Sequence, residues 1–294
     1  MLKLLRSAKW LSLFCFLSGC ASVSQADLNH VVSGQSNQAL TWDQALAGVS
    51  PGDVVVLGEE HGTVVQPQVQ VTVMQTLRQK GLKVSVGLEF FYYPQQALVD
   101  SFRNGQLTEA EFLKQINWTG FPFSSYRAQA LFATAPQTTL ALNAPMALTG
   151  RIAKVGLDGL SDTEKALLPP GLTLGNSGYK DRFKQVIGDH LPTPDAIDRY
   201  FAAQSTWDDT MAWKANLYST VNSDTVLVIV VGEFHVQYGG GLPDRLRARL
   251  PAGRRVWTAS LLNTHGLSTA DLQTTIQPSP LYGPRADWLW LGDY

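Results

Sequence analysis

The sequence predicts an α/β protein: a central, mainly parallel β-sheet flanked by helices, with an inserted helical subdomain. Three observations carry this. Five short apolar runs recur along the chain, and most are continuous rather than alternating, as in strands covered on both faces. Segments with helix signals lie between them, which is the α/β order. Apolar residues make up 45% and charged residues 16% of 294 residues, enough to bury a sizeable core.

The first run, "DVVVLG" (53–58), reads as a buried strand. The connection "QPQVQVTVMQTLRQKG" carries two patterns: Val69, Val71 and Val73 alternate as in a strand, whereas Val69, Val73 and Leu77, closed by Gly81, fit a helix. A parallel sheet needs a crossover here, and Pro67 is tolerated in a first helical turn, so a helix is expected. "KVSVGLE" (83–89), "TTLALN" (138–143), "TVLVIVVG" (225–232) and "RRVWTAS" (254–260) supply the other strands. Residues 90–137 and 144–224 are too long for simple crossovers and are expected to form the helical insertions. Capping boxes at Thr108-x-x-Glu111 and Ser161-x-x-Glu164 support helices there. Another helix starts with Thr193 as N-cap and Pro194 behind it. Its inward stripe runs Ile197, Phe201, Gln204, Asp208, Met211, Ala215, Tyr218. Gln204 and Asp208 are polar residues in a buried register; they either bond loop backbone in the core or line a polar pocket.

Strand ends carry the chemistry. The first leads into Gly58-Glu59-Glu60-His61, the second into Glu89, the third into Asn143 and the fourth into Gly232-Glu233-Phe234-His235. In an open parallel sheet these ends share one edge, where ligands bind. Glu59, His61, Glu89 and His235 are therefore expected to converge. Two imidazoles and a carboxylate suit a divalent metal, held by His61, Glu89 and His235, or general acid–base catalysis without one. After His235, "QYGGGLPDRLRARL" runs three glycines into a helix, which suits either an anion or a flexible turn.

The N-terminus belongs to a different function. Lys3, Arg6 and Lys9 precede the apolar stretch "WLSLFCFL", which is too short to span a membrane as a mature helix. It ends in "LSGC", a lipobox pattern with cleavage before Cys20 and lipid on that cysteine. Residues 1–19 are thus expected to be a lipoprotein signal peptide. Cys20 and the polar residues up to 38 form a tether, and 39–294 the folded domain. The residue after Cys20 is Ala21 rather than Asp, the pattern of outer-membrane sorting. The other cysteine, Cys15, lies in the signal, so the mature body has no thiol for a disulfide, a zinc site or a nucleophile. A net charge of −1 provides no basic field for nucleic acid. Eight Trp and nine Tyr suit both a core and a flat aromatic ligand.

The stretches "LGEEHGTVVQ", "GLEFFYYPQQ", "FPFSSYRAQALFA", "LALNAP", "GLDGLS", "AQSTWDDTMA" and "VIVVGEFHVQYGGGLPDRL" resemble, in order, the ChaN family of haem-binding, iron-regulated bacterial lipoproteins. That family is similar to a wider superfamily with Tiki-type proteases and erythromycin esterases. The resemblance implies haem iron bound by tyrosine, with haems stacked at a homodimer interface, and haem or iron acquisition in the bacterial envelope alongside a receptor or transporter. It directs attention to Tyr126, Tyr179, Tyr200 and Tyr218 in the helical part. Tyr179, with His190 nearby, and then Tyr126 are the favoured haem contacts. The wider superfamily implies hydrolysis by His61, Glu89 and His235, with Glu59 beside the first. Phe234 stands where the family carries a small residue, and its bulk is expected to narrow the crevice. Haem binding is the expected function; an envelope hydrolase using the four edge residues is the alternative.

Overall fold

The computed structural model describes residues 28–187, 190–191 and 193–294. Its strands are β1 (Val31–Ser33), β2 (Ala39–Leu40), β3 (Val54–Glu59), β4 (Lys83–Tyr92), β5 (Thr139–Asn143), β6 (Thr225–Gly232), β7 (Val256–Asn263) and β8 (Trp288–Gly292). They form one sheet in the order β2-β1-β8-β7-β3-β6-β4-β5. From β8 to β5 every pairing is parallel. β1 runs antiparallel to both β8 and β2.

The five expected strands are β3 to β7. β3 and β6 are buried along their whole lengths, as continuous apolar runs require. Their side chains alternate between two cores. Val55 and Leu57 join Val228 and Val230 on one face, and Val54 and Val56 join Leu227 and Ile229 on the other. The ambiguous connection is a helix, Gln66–Gln79, with Val69, Val73 and Leu77 buried. Gly81, at φ +81°, closes it in the left-handed conformation that glycine adopts without strain. Both capping boxes form, and Thr193 caps the helix Pro194–Val221.

Helices of the two insertions occupy opposite faces. Phe102, Phe112 and Ala130 pack with Val55 and Leu57, whereas Met211, Ala212 and Ala215 of the long helix pack with Val54 and Val56. The outer edge of β5 is blunted by a side chain. The Gln96 amide donates to the Thr139 carbonyl (2.9 Å) and accepts from the Ala141 N–H (2.7 Å), as a further strand would.

Three strands were not expected. β8, "WLWLG", is wholly buried, and β1 and β2 are too short to show a period. β1 corrects the reach of the tether: Val31 and Val32 are buried in the sheet beside Trp290 and Leu289, so the chain is folded well before residue 39. The signal peptide and Cys20 lie outside the described residues.

Candidate functional site

β3 delivers the first half of the site. Glu59 is buried, and its carboxylate accepts from His61 Nδ1 (3.0 Å), the Tyr126 hydroxyl (2.6 Å) and the Gln70 amide. Gln70 comes from the crossover helix and in turn accepts from Gln129 (2.7 Å). Glu60, the next residue along, is exposed. The side-chain alternation of a strand end thus separates two adjacent glutamates by role.

β6 and the long helix build the second half. His235 is buried, with Nδ1 2.6 Å from Asp208 Oδ1 and Nε2 3.2 Å from Glu89 Oε1. The other Asp208 oxygen accepts from the Tyr179 hydroxyl at 3.0 Å, and Gln204 donates to that hydroxyl at 3.0 Å. Gln204 and Asp208, one turn apart, therefore hold a histidine and a tyrosine rather than loop backbone.

Glu89, from β4, joins the halves. Its Oε2 accepts from the Gly232 N–H at 2.6 Å and lies 3.9 Å from His61 Nε2. The result is a chain of alternating charge: Glu59, His61, Glu89, His235, Asp208. The four edge residues read from the sequence are together, and Asp208 completes the set. Gly232 permits the approach, because a Cβ there would lie 2.8 Å from His61 Nε2. The two Gly-Glu-x-His stretches are not equivalent. Glu59 backs its own histidine, whereas Glu233 turns toward β7, where Ser260 donates to it (2.7 Å) and Arg285 pairs with it (2.9 Å). Burial pushes the Glu233 carboxyl up to about 7.

Charges in the chain are set by neighbours. Burial works against charge on His235, but Glu89 and Asp208 overcome it and raise the imidazole to about 10. Burial also works against the Glu89 carboxylate, yet His235 and His61 bring it down to about 2. His61 is raised too: its burial is outweighed by the hydrogen bond to Glu59 and the charges of Glu89 and Glu59. These are paired ions, as buried charges must be.

Only part of this chain reaches the surface. A cleft of about 230 Å³ exposes His61 and Glu89 between Phe90, Tyr92, Trp118, Phe121, Asn143 and Trp207. Phe234 does not line it. Its ring stacks on Tyr179 at 5.1 Å and packs near Phe183 and Phe201, so the expected narrowing does not occur. The three glycines make a turn. The Gly240 N–H is taken by Asp244 (3.0 Å), and a Cβ at Gly241 would meet the His235 carbonyl at 2.7 Å. These glycines let the chain pass over the site.

The tyrosines favoured for haem sit inside the network. Tyr126 and Tyr179 are fully buried, and each hydroxyl donates to a carboxylate behind an imidazole. Burial and those carboxylates raise both phenols, the reverse of what a phenolate ligand needs. His190 is exposed, as is Tyr200 on the long helix, whereas Tyr218 bonds Ser85 at 2.6 Å. Nothing in the structure supports the expectation of a metal on His61, Glu89 and His235. Among the described residues no three His, Cys, Asp or Glu are arranged for an ion. His235 spends both ring nitrogens on carboxylates, which leaves no lone pair for a metal.

Gln70 and Gln129 were not singled out in the sequence. The one signal is that Gln70 lies among Val69, Val73 and Met74 on the apolar side of its helix, which marks buried hydrogen bonding but not its partner.

No curated protein sequence matches the chain. Its fold is similar to the structure described as "Cofacial heme binding to ChaN of Campylobacter jejuni", with a TM-score of 0.61 at 16% identity over 88% of this chain and 95% of that one. Weaker likenesses include the type III effector HopBA1 (TM-score 0.43, 14% identity, 82% of this chain and 88% of that one). Another is a mutant of the erythromycin esterase EreC in its open conformation (TM-score 0.44, 11% identity, 81% of this chain and 75% of that one). The family model described as "Haem-binding uptake, Tiki superfamily, ChaN" matches residues 45–246, which takes in β3 to β6, the long helix and every residue of the charge chain. By that match over more than half its length, the chain belongs to the ChaN family of haem-binding uptake proteins.

Proposed function

We propose that the protein binds haem for haem or iron acquisition, as a lipid-anchored protein of the bacterial envelope. The family match carries this reading. The haem belongs on the helical surface rather than in the cleft. A cleft of about 230 Å³ is smaller than the ~300–1,000 Å³ of sites that enclose drug-sized ligands. On the helical surface Tyr200 is 43% exposed, and His190 is exposed as well. Either can reach an iron without dismantling a buried carboxylate pair, which Tyr179 and Tyr126 cannot. Tyr200 or His190 would hold the haem, supplying the phenolate or imidazole that ferric haem binds. A second copy of the chain would pack against this surface, in keeping with the cofacial haem binding of ChaN from Campylobacter jejuni. Haem then passes to a receptor or transporter of the envelope.

Haemin titration of residues 21–294 tests this. A saturable Soret change at micromolar haemin, with the high-spin spectrum of a ferric phenolate, is expected. Tyr200→Phe should abolish the phenolate bands and Tyr179→Phe should keep them. A flat titration overturns the reading.

Anchoring is the second component. The lipobox pattern "LSGC" supports lipid on Cys20, and no helix among the described residues is long and apolar enough to cross a membrane. Cys20→Ala should release the protein or block its processing. Retention of the variant in the outer-membrane fraction with unchanged mobility defeats the anchor.

One observation favours a second activity at the cleft. Glu89 is held ionised between two imidazoles, and His61 reaches the surface at 32% side-chain exposure. A reachable imidazole with a carboxylate behind its Nδ1 is equipped for general acid–base hydrolysis. His61→Ala should remove any turnover of a panel of chromogenic esters while leaving haem binding intact. Loss of haem binding instead would move the haem into the cleft.

A further inference from the structure

We infer that the edge of the sheet bearing the cleft rests against the bilayer to which the chain is tethered. This relies on anchoring through Cys20 and goes beyond it by fixing which side of the protein faces lipid.

Topology supplies the first argument. β1 is antiparallel to β8, with Val31 opposite Trp290 and Ser33 opposite Trp288. The chain therefore enters β1 at the C-terminal end of β8, where the Leu291 N–H donates to the His30 carbonyl (3.1 Å). The C-terminal ends of the parallel strands are also where Glu59, His61, Glu89 and His235 lie. Tether and cleft thus leave the body on the same edge. Three strand spacings separate β1 from β3 in the sheet, roughly 14 Å.

Chain length supplies the second. Seven residues, 21–27, lie between Cys20 and Leu28. Fully extended, the eight links from Cys20 to Leu28 span at most about 29 Å. A lipid on Cys20 therefore keeps this edge within about one protein radius of the headgroups, and the opposite edge cannot reach them unless the body turns over.

Side-chain chemistry supplies the third. Val64 (75% exposed) follows β3, Met146 (62%) follows β5 and Leu267 (40%) follows β7. Phe121 (40%) leans over the His61 ring at 5.5 Å. These apolar side chains ring the cleft edge and are suited to the headgroup–acyl boundary. Without Lys3, Arg6 and Lys9 the body from Cys20 onward is net acidic and supplies no basic field for anionic lipid, so the matching surface is zwitterionic. A cleft in this position receives its ligand from the lipid phase, which makes the ligand an apolar or amphiphilic molecule.

The body from residue 20 onward has one thiol, Cys20. It can be coupled to maleimide lipid in phosphatidylcholine vesicles at low tether density, whatever the cell does with it. Hydroxyl-radical footprinting then reads named side chains. Oxidation of Val64, Phe121, Met146 and Leu267 should fall at least about threefold on tethering. Leu217 and Val221, exposed on the helix that leads into the opposite end of β6, should be oxidised as before. Equal protection at both edges, protection of Leu217 and Val221 alone, or no protection at all overturns the inference. Failure of the Cys20→Ala release experiment removes the anchor in the cell but leaves this result standing, so the two failures are distinguishable.

Discussion

The two histidine arms of the site have nearly the same parts and different roles. Each imidazole has Glu89 near its Nε2, a buried carboxylate at its Nδ1, and a tyrosine hydroxyl on that carboxylate, with a glutamine amide alongside. They differ in exposure: the His61 side chain is 32% exposed and that of His235 is 6%. A buried ion pair depends on every partner, because water cannot replace a lost one. A half-exposed pair can be rescued by solvent, so its imidazole is free to exchange protons or meet a ligand. The comparison marks the His235 arm as a buried support and the His61 arm as the one that solvent reaches.

The largest expected effect breaks the buried arm. Asp208→Asn should lower the unfolding free energy by about 3–5 kcal/mol, because a charged His235 then loses a buried partner. Glu59→Gln should cost about 1–3 kcal/mol, since water reaches His61. Denaturant melts of both variants decide the matter, and equal losses would mean that exposure does not separate the arms.

The pH dependence of stability follows from the same arm. His235 is raised in the folded state, so its stabilisation is complete below the unfolded histidine value of ~6.5 and is lost as pH rises through about 10. Between those limits unfolding free energy should fall by up to about 1.4 kcal/mol per pH unit. His235→Gln should flatten that slope. Glu89 acts at the acid end. It is lowered in the folded state, so its contribution is present above its ordinary value of 4.5 and is lost as pH falls toward about 2. Melts from pH 2 to 10 of the wild type and His235→Gln test both limbs.

Tyr126→Phe and Tyr179→Phe each remove one donor from a buried carboxylate and should cost about 1–2 kcal/mol. Similar losses would show that the two arms share their outer support although they differ at the imidazole.

Gly232→Ala has the smallest expected cost, below about 1 kcal/mol, because its backbone is not in the left-handed region. The added methyl should nevertheless displace His61 from Glu89. His61, titrated by NMR, should then move down toward the ordinary histidine value. An unmoved titration would show that Glu89 does not act on His61.

The fold was legible where apolar runs were continuous and lay between helix signals, and β3 and β6 show why. A strand buried on both faces must be apolar throughout, and that leaves a plain mark. β1 and β2, at three and two residues, carry no such mark and exist because β8 offers an unpaired edge. At the site, Glu59, His61, Glu89 and His235 were legible as residues that directly follow strands. The identical spacing around His61 and His235 suggested a symmetry that the packing does not keep. Glu233 faces Arg285, and the carboxylate for His235 comes from a helix 27 residues earlier. The phase of that helix marked Asp208 and Gln204 as buried polar residues but not what they would meet. Tyr179 was legible as an aromatic in the helical part, but its burial under the glycine turn was not.

By itself, the sequence determined the parallel core and the convergence of four acid and imidazole side chains on one edge. Strand burial and strand polarity are local consequences of residue pattern and connection length. Only the tertiary structure decided which carboxylate each histidine faces, which tyrosines are sealed behind them, and that the chain enters the sheet on the cleft side. Those depend on distances between segments far apart in the chain, and in a buried site a few ångströms separate a paired ion from an open ligand position.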